Sequence, residues 1–278
     1  DALPISPKPQ NPKSMNFNPK IFFYIYFKEN LFPKMSNRLN LLNKQFEPNT
    51  TGWVIKNVEH YDFEDMGSLK GKTIFISGAS RGIGLAIAIR AAKDGANVAI
   101  AAKTVKPHPE LPGTIYTAAE EIRAAGGKAL ACVCDIRDEK SVEKAVADTV
   151  KEFGGIDICI NNASAIYQTP VESTSTKKFD LAMSINTRGT FVVSKACIPH
   201  LKNSKNPHIL TISPPYEFAG SPVNWFGRIG TGYVLAKYGM TLITKGLAKE
   251  LEDYNIGCNC LWPRTAVATA AVMNHLGG

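Results

Sequence analysis

At 278 residues the chain suits one large α/β domain or two small ones. Its net charge of +8 is scattered, with no run of five or more basic residues, so it reads as a solvated surface able to attract phosphates; no motif supports nucleic-acid binding. The six cysteines form no C-x-x-C pair and the five histidines show no metal-ligand spacing, which argues against a metal site or a disulfide scaffold and fits a reducing compartment.

Residues 1–65 differ from the rest. They are rich in Asn, Pro and Lys and hold an aromatic run, Ile21-Phe22-Phe23-Tyr24-Ile25-Tyr26-Phe27, without a clear period. That run is too short to span a bilayer, which takes about 20 residues. No small-residue cleavage site follows it, as a signal peptide would require. The segment is expected to be disordered or non-native, with Met66 as the natural start and residues 66–278 as the domain. Peptides from before Met66 in the native protein would sink that expectation.

The pattern sharpens at Thr73. Thr73 to Ser77 is an apolar strand, Gly78-Ala79-Ser80-Arg81-Gly82-Ile83-Gly84 a glycine-rich turn, Leu85 to Lys93 a helix, and Val98 to Ala102 a second strand. A diphosphate needs main-chain N–H groups free of obstructing side chains and a helix N-terminus behind them. All seven turn residues are therefore candidate cofactor contacts. The alternative is a tight strand-to-helix turn with no ligand; the strand before and the helix after favour the nucleotide.

The second strand ends at Lys103, where an acid would bond a free ribose 2′-hydroxyl and a cation would favour a 2′-phosphate. With Arg81 as a second cation in the glycine turn, Lys103 argues for NADP(H) over NAD(H). The competing reading is a solvated loop lysine.

Three prolines between Pro107 and Gly113 forbid a helix there. Thr114 to Ala125 reads as a helix capped by Thr114, and Lys128 to Cys134 as the third strand. Asp135 follows, placed either to accept from an adenine amino group or to cap the helix starting near Asp138. Ser141 to Phe153 is amphipathic, with Val142, Ala145, Val146, Thr149 and Val150 on one face. Ile156 to Ile160 is a continuous apolar strand, as expected for one covered on both faces. The asparagines after it, Asn161 and Asn162, are suited to bond neighbouring backbone and hold the cofactor side of the sheet.

Lys177 to Leu201 reads as one long helix carrying Asn186, and His208 to Ser213 as the fifth strand, followed by Pro214-Pro215. Residues 216–230 form a loop with Tyr216, Phe218, Trp225 and Phe226, either a lipophilic substrate pocket or a packed surface loop. Thr231 to Leu251 is a helix with Tyr233 and Lys237 one turn apart. Tyr24 and Lys28 share that spacing, so position must separate the pairs. Gly257 to Trp262 is the sixth strand, before Pro263-Arg264.

With these residues placed, the chain resembles the short-chain dehydrogenases/reductases over about residues 69–272. The resemblance rests on Gly78–Gly84, Asn161-Asn162-Ala163, Asn186 and Tyr233-Val234-Leu235-Ala236-Lys237. It implies an α/β fold: a Rossmann-type doubly wound parallel sheet, strand order 3-2-1-4-5-6, with the family's last strand expected beyond Gly278.

The implied chemistry is hydride transfer between a nicotinamide and a carbonyl or alcohol carbon. Tyr233 would pass the proton. Lys237 would lower the phenol from its ordinary pKa of about 10 and bond the nicotinamide ribose, and Asn186 would hold a relay water. The serine that the family places at the fifth strand end to polarise the substrate oxygen has Pro214 at its position. Ser213 is the candidate substitute, or else a strand residue facing the core. Loss of such a donor typically costs about 10²–10³ in rate. The family's Pro-Gly after the sixth strand is Pro263-Arg264 here.

The wording of Ala101-Ala102-Lys103-Thr104, Gly113 to Glu121, Ile212-Ser213-Pro214-Pro215 and Leu261-Trp262-Pro263 points to one branch of the family. Its members are associated with peroxisomes and mitochondria and carry a C-terminal sterol-carrier domain. That implies a peroxisomal setting, a small lipophilic substrate and a part in lipid metabolism. A homo-oligomer paired through helices 177–201 and 231–252 is implied by the family as well. Two functions stay open: an NADP(H)-dependent oxidoreductase, and a catalytically weak NADP-binding module in lipid handling.

Overall fold

The computed structural model describes residues 23–25, 46–49, 52–55, 68–214 and 230–263, with 267, 269 and 270. In chain order, β1 (Phe23–Ile25), β2 (Phe46–Asn49) and β3 (Gly52–Ile55) precede the domain. Then come β4 (Thr73–Ser77), α1 (Gly82–Lys93), β5 (Asn97–Ala102), α2 (Ile115–Ala124), β6 (Lys128–Val133), α3 (Glu139–Phe153) and β7 (Ile158–Asn161). After these follow α4 (Thr176–Ala182), α5 (Gly189–Leu201), β8 (His208–Ile212), α6 (Thr231–Glu250) and β9 (Gly257–Pro263).

Six parallel strands lie in the order β6-β5-β4-β7-β8-β9, the 3-2-1-4-5-6 arrangement. Three residues of the aromatic run, β1, add an antiparallel edge strand beside β9, with Phe23 opposite Pro263 and Ile25 opposite Leu261. β2 and β3 pair only with each other. The expectation that Met66 is the natural start falls outside the described residues.

Strand alternation builds the core. On β4, Ile74 and Ile76 point to one face and Phe75 to the other, because successive side chains leave a strand in opposite directions. Ile74 and Ile76 join Val98, Ile100, Ile115 and Ile122 under α1 and α2. Phe75 joins Val142, Val146, Val193, Cys197, Ile209 and Leu247 under α3, α5 and α6. With both faces covered, the strands read as unbroken apolar runs. Cys132, Cys134 and Cys159 sit in the second layer as small buried residues, and burial pushes the thiols of Cys132 and Cys134 up to about 11.

Local signals set the helix ends. Thr114 caps α2 with a capping box: its side chain accepts from Tyr116 N and Thr117 N, and Thr117 Oγ1 accepts from Thr114 N at 2.9 Å. Asp138 caps α3, which stops at Gly154 in the left-handed region, φ 85°.

The long helix expected over 177–201 is interrupted. Between α4 and α5 lies a π turn, Met183–Arg188, holding Asn186. Single π turns inside helices recur at functional sites. Here Asn186 is tied to Ala165 outside the helix, and Thr187 Oγ1 donates to Ala236 O at 3.0 Å. Gly189 lies so close to Ile136 that a Cβ would meet Ile136 Cδ1 at 2.6 Å. No helix among the described residues is long and apolar enough to cross a membrane, and no group of three metal-ligating side chains gathers among them.

Candidate functional site

The order in which strands are added to the sheet reverses between the parallel neighbours β4 and β7, so the loops at the C-terminal ends of these two strands part and leave a crevice. The glycine turn, Lys103, Asp135, Asn162 and Ser213 all follow C-terminal strand ends on this edge. The sheet thus gathers nearly every residue that the sequence singles out, and α6 brings in Tyr233 and Lys237.

The glycine turn is a close-packed cradle. Gly78 and Gly82 have φ of 70° and 59°, where side-chain-bearing residues are strained. A Cβ on Gly78 would lie 2.7 Å from Ala163 Cα; one on Gly84 would lie 2.8 Å from Gly78 O and run into Asn162 Nδ2. Asn162 Nδ2 donates to Ser77 O and Gly78 O, both at 3.0 Å, and its N–H donates to Ser77 Oγ at 3.1 Å. Asn162 therefore locks the ends of β4 and β7 together beneath the turn.

The N-terminus of α1 is left open. Arg81, its N-cap, is extended and makes no side-chain cap bond, and the first turn has no acid. By contrast, Thr114, Asp138 and Ser175 cap α2, α3 and α4. Uncapped N–H groups, positive-φ glycines and no competing carboxylate fit the diphosphate of a dinucleotide.

Just past β5, Lys103 is exposed. Arg81 is not free: Nη1 donates to Leu111 O at 2.5 Å and Nη2 to Gly113 O at 3.1 Å, strapping the proline-rich loop to the glycine turn. Asp135 is held by Arg137, whose Nε lies 2.9 and 3.1 Å from its carboxylate oxygens. That ion pair, with a smaller pull from Lys103, lowers the Asp135 carboxyl to about 2. The cap of α3 is Asp138, not Asp135.

Tyr233 and Lys237 lie one turn apart on α6, 8% and 3% exposed. Lys237 Nζ donates to Ile212 O at 2.6 Å, and desolvation lowers its pKa to about 8. Burial raises the Tyr233 phenol, while a hydrogen bond with the Ser164 side chain acts in the opposite direction. The Tyr167 ring meets Tyr233 edge-on, centroids 6.5 Å apart.

Asn186 is fully buried, and its polar atoms are engaged. Nδ2 donates to Ala165 O at 3.0 Å, Oδ1 accepts from Ala165 N at 2.9 Å, and its carbonyl accepts from Thr190 Oγ1 at 2.7 Å and from Gly189 N. Ser213 is likewise fully buried. Its Oγ accepts from Thr241 Oγ1 at 3.0 Å, and Thr241 also reaches Pro214 O at 2.6 Å.

Ser164, Tyr167 and Thr241 bear on the site, yet the sequence reading assigned them no part. Ser164 stands two residues after Asn162, which is the one signal that pointed to it; Tyr167 and Thr241 carry none. The aromatic loop expected over 216–230 lies outside the described residues, apart from Gly230, and so do Arg264 and Thr265.

Comparison with known proteins agrees with this geometry. The short chain dehydrogenase family model matches residues 72–276. The chain is 59% identical over 215 residues to hydroxysteroid dehydrogenase-like protein 2 of Danio rerio, covering 77% of this chain and 50% of the relative. It is 58% identical over 212 residues to the Homo sapiens protein of that name, covering 76% and 49%. The chain thus spans about half the length of the curated relatives it matches.

Among solved structures, a short chain dehydrogenase from Mycobacterium thermoresistibile is 61% identical with a TM-score of 0.70, covering 76% of this chain and 74% of that one. The NADH-dependent reductase A1-R′ complexed with NAD is 27% identical with a TM-score of 0.58, covering 68% of this chain and 76% of that one. The chain belongs to the short-chain dehydrogenase/reductase family, oxidoreductases that bind nicotinamide cofactors.

Proposed function

We propose that the chain is an NADP(H)-dependent oxidoreductase acting on a lipophilic carbonyl or alcohol, with a part in lipid or fatty-acid metabolism. The observation that carries the reading is the pairing of two features on one sheet edge. One is the glycine cradle with its uncapped helix; the other is Tyr233 with Lys237 on α6. In this reading Gly78 to Gly84 hold the diphosphate by their main chain, Lys103 and Arg81 attract the 2′-phosphate, and Asp135 and Asn162 border the adenine and nicotinamide ends. When bound, the nicotinamide supplies or accepts the hydride.

The remaining chemistry belongs to side chains of this chain. Burial raises the Tyr233 phenol, which keeps it protonated near neutrality and suits it to donate to a carbonyl oxygen. Lys237, at about 8, is mostly protonated at pH 7 and stabilises the phenolate left behind. Asn186 fixes Ala165 and the loop that faces Tyr233. A relay water on its carbonyl would have to share the oxygen with Gly189 N and Thr190 Oγ1.

The lipophilic substrate is supported by the aromatic residues Tyr216, Phe218, Trp225 and Phe226 and by the names of the relatives. A peroxisomal location rests on the resemblance alone; imaging the native protein against peroxisomal and mitochondrial markers tests it. Pairing of two copies is supported by exposed Leu181, Phe191, Leu235 and Leu242 on the helices concerned, and sedimentation of the purified protein by analytical ultracentrifugation tests it.

NADPH consumption over a panel of ketones, steroids and acyl compounds, with Tyr233→Phe alongside, tests the main reading. Turnover lost in the variant supports it. A second reading, a cofactor-binding module with little catalysis, is favoured by one observation: Ser213 is turned into the core and held by Thr241, with Pro214 in the position of the family's serine. NADPH binding without turnover on any substrate would favour it.

A further inference from the structure

Two of the three residues before Tyr233 are glycines, and the N-cap of α6, Gly230, makes no side-chain cap bond. Little in the helix itself therefore holds the first turn that carries Tyr233. The hold comes from the segment leaving β7, and above all from Tyr167.

Tyr167 fits into the notch left by Gly232. A Cβ there would lie 2.1 Å from Tyr167 Oη and 3.3 Å from its Cζ, so any larger residue would displace the ring. The Tyr167 ring meets the Tyr233 ring edge-on, at 68° with centroids 6.5 Å apart. Its segment is pinned on both sides. Asn186 bonds both polar groups of the Ala165 backbone, and a Cβ on Gly230 would lie 2.6 Å from Thr169 O. The Tyr167 hydroxyl is buried and makes no hydrogen bond among the described residues. A buried unpaired hydroxyl opposes folding, so the residue is held by its ring and not by its oxygen.

We propose that Tyr167 is a positioning residue for proton transfer: its ring, seated against Gly232, fixes the direction of the Tyr233 side chain and keeps water from its flank. This rests on the oxidoreductase reading above and deepens it. Rotation of Tyr233 about χ2 leaves Oη in place, because the oxygen lies on that axis; only χ1 swings it. A ring pinned beside Tyr233 limits that swing. In carbonyl reduction the substrate carbon takes hydride from the reduced nicotinamide, the substrate oxygen takes the Tyr233 proton, and the phenolic O–H bond breaks. That transfer runs along a hydrogen bond of about 2.6–3.2 Å. A misplacement of about 1 Å costs about 10²-fold in rate. The same packing contributes to the burial that raises the Tyr233 phenol.

The test separates ring from hydroxyl and has two readouts on the full chain. In turnover with NADPH, Tyr167→Ala is expected to lower kcat about 10–100-fold with KM little changed. Tyr167→Phe, which keeps the ring, should stay within about twofold of wild type. Gly232→Ala fills the notch, so it should lower kcat when Tyr167 is present and far less in the Tyr167→Ala background. The second readout needs neither substrate nor turnover. With tyrosines isotopically labelled at Cζ, the Tyr233 signal is identified by its absence from Tyr233→Phe. It is followed by NMR against pH, over the range where circular dichroism stays native. Tyr167→Ala is expected to bring the Tyr233 ionisation to lower pH as water reaches the ring, and Tyr167→Phe to leave it unmoved.

A Tyr233 titration unmoved by Tyr167→Ala overturns the proposal. So does a Tyr167→Phe variant that loses as much kcat as Tyr167→Ala, which would put the work on the hydroxyl. If wild type turns over no substrate while Tyr167→Ala still moves the Tyr233 signal and Tyr167→Phe does not, the hold of Tyr167 on Tyr233 stands and the oxidoreductase reading falls.

Discussion

Asn186 and Ala165 hold each other through two hydrogen bonds, side-chain amide to both polar groups of one peptide backbone, at 3.0 and 2.9 Å. The pair joins the π turn to the segment leaving β7 and so aligns two parts of the site from one buried residue. Asn186→Ala leaves the N–H and C=O of Ala165 without these partners. The expected loss is about 2–3 kcal/mol in urea unfolding with the m-value unchanged, and faster amide exchange at Ala165. Asn186→Asp should not rescue it, because an ionised carboxylate accepts and cannot donate. An unchanged exchange rate at Ala165 would contradict the assignment.

Lys237 is a buried cation whose one hydrogen bond among the described residues is to the Ile212 carbonyl. Its folded pKa of about 8 is below the ordinary 10.5, so folding favours the neutral form. The unfolded chain binds more protons between those two values, so the penalty is full below pH 8 and is relieved as pH rises toward 10.5. Lys237→Met is therefore expected to abolish turnover while stabilising the protein near neutrality. The gain is about 1–2 kcal/mol, the lost bond to Ile212 offsetting part of it. Its Tm advantage over wild type should shrink as the buffer moves from pH 8 to 10; a constant advantage would mean the lysine charge is not the cause.

The proposed preference for NADP(H) is directly testable at Lys103. Lys103→Glu places an acid where a ribose 2′-hydroxyl would be bonded and a 2′-phosphate repelled. NADPH binding, read by protein fluorescence, should weaken about 10–100-fold while NADH binding tightens. Arg81→Ala should weaken NADPH less specifically, because Arg81 also straps Leu111 and Gly113 and its removal loosens that loop for either cofactor. Equal affinity of the wild type for both cofactors would sink the NADP(H) assignment.

The strand order, both faces of the core and the glycine cradle were legible because each follows from a local rule: apolar runs, glycine spacing, a capping threonine. The break at Asn186 was not. A helix buried on several sides shows no clean polar face, and α5 is apolar nearly all round with Val192, Val193 and Cys197 buried, so residues 177–201 read as one uniform helix. The tie that makes the π turn is to Ala165, which lies 21 residues earlier, and pattern reading cannot see a partner at that distance. Ser213 was ambiguous for a related reason. Its facing depends on the last step of a strand, where a one-residue slip exchanges core for crevice, and only the hydroxyl of Thr241 on α6 decides it. Tyr167 carried no signal because its edge-on contact with Tyr233 is made across the fold.

At the opposite end of the sheet, Asp157 offers a stability test separate from the site. Its carboxylate accepts from Ser204 Oγ at 2.5 Å, Thr73 N at 2.9 Å and Lys72 Nζ at 3.1 Å, joining the start of β4 to the chain entering β7 and β8. Burial alone would raise its pKa; the bonds from Ser204, Thr73 and Lys72 outweigh that and lower it. A carboxylate lowered on folding stabilises the protein above its unfolded pKa, and that stabilisation is lost as pH falls through the folded value. Asp157→Asn should therefore cost about 1–2 kcal/mol at pH 7, allowing for solvent screening at a partly open site. The deficit, measured as the difference in urea midpoint from wild type, should narrow below about pH 4 as the wild-type carboxylate takes up its proton. NADPH binding at pH 7 should be unchanged, since Asp157 lies at the end of the strands away from the crevice. A deficit that stays constant with pH would show that shape at this position, and not its charge, holds the strands together.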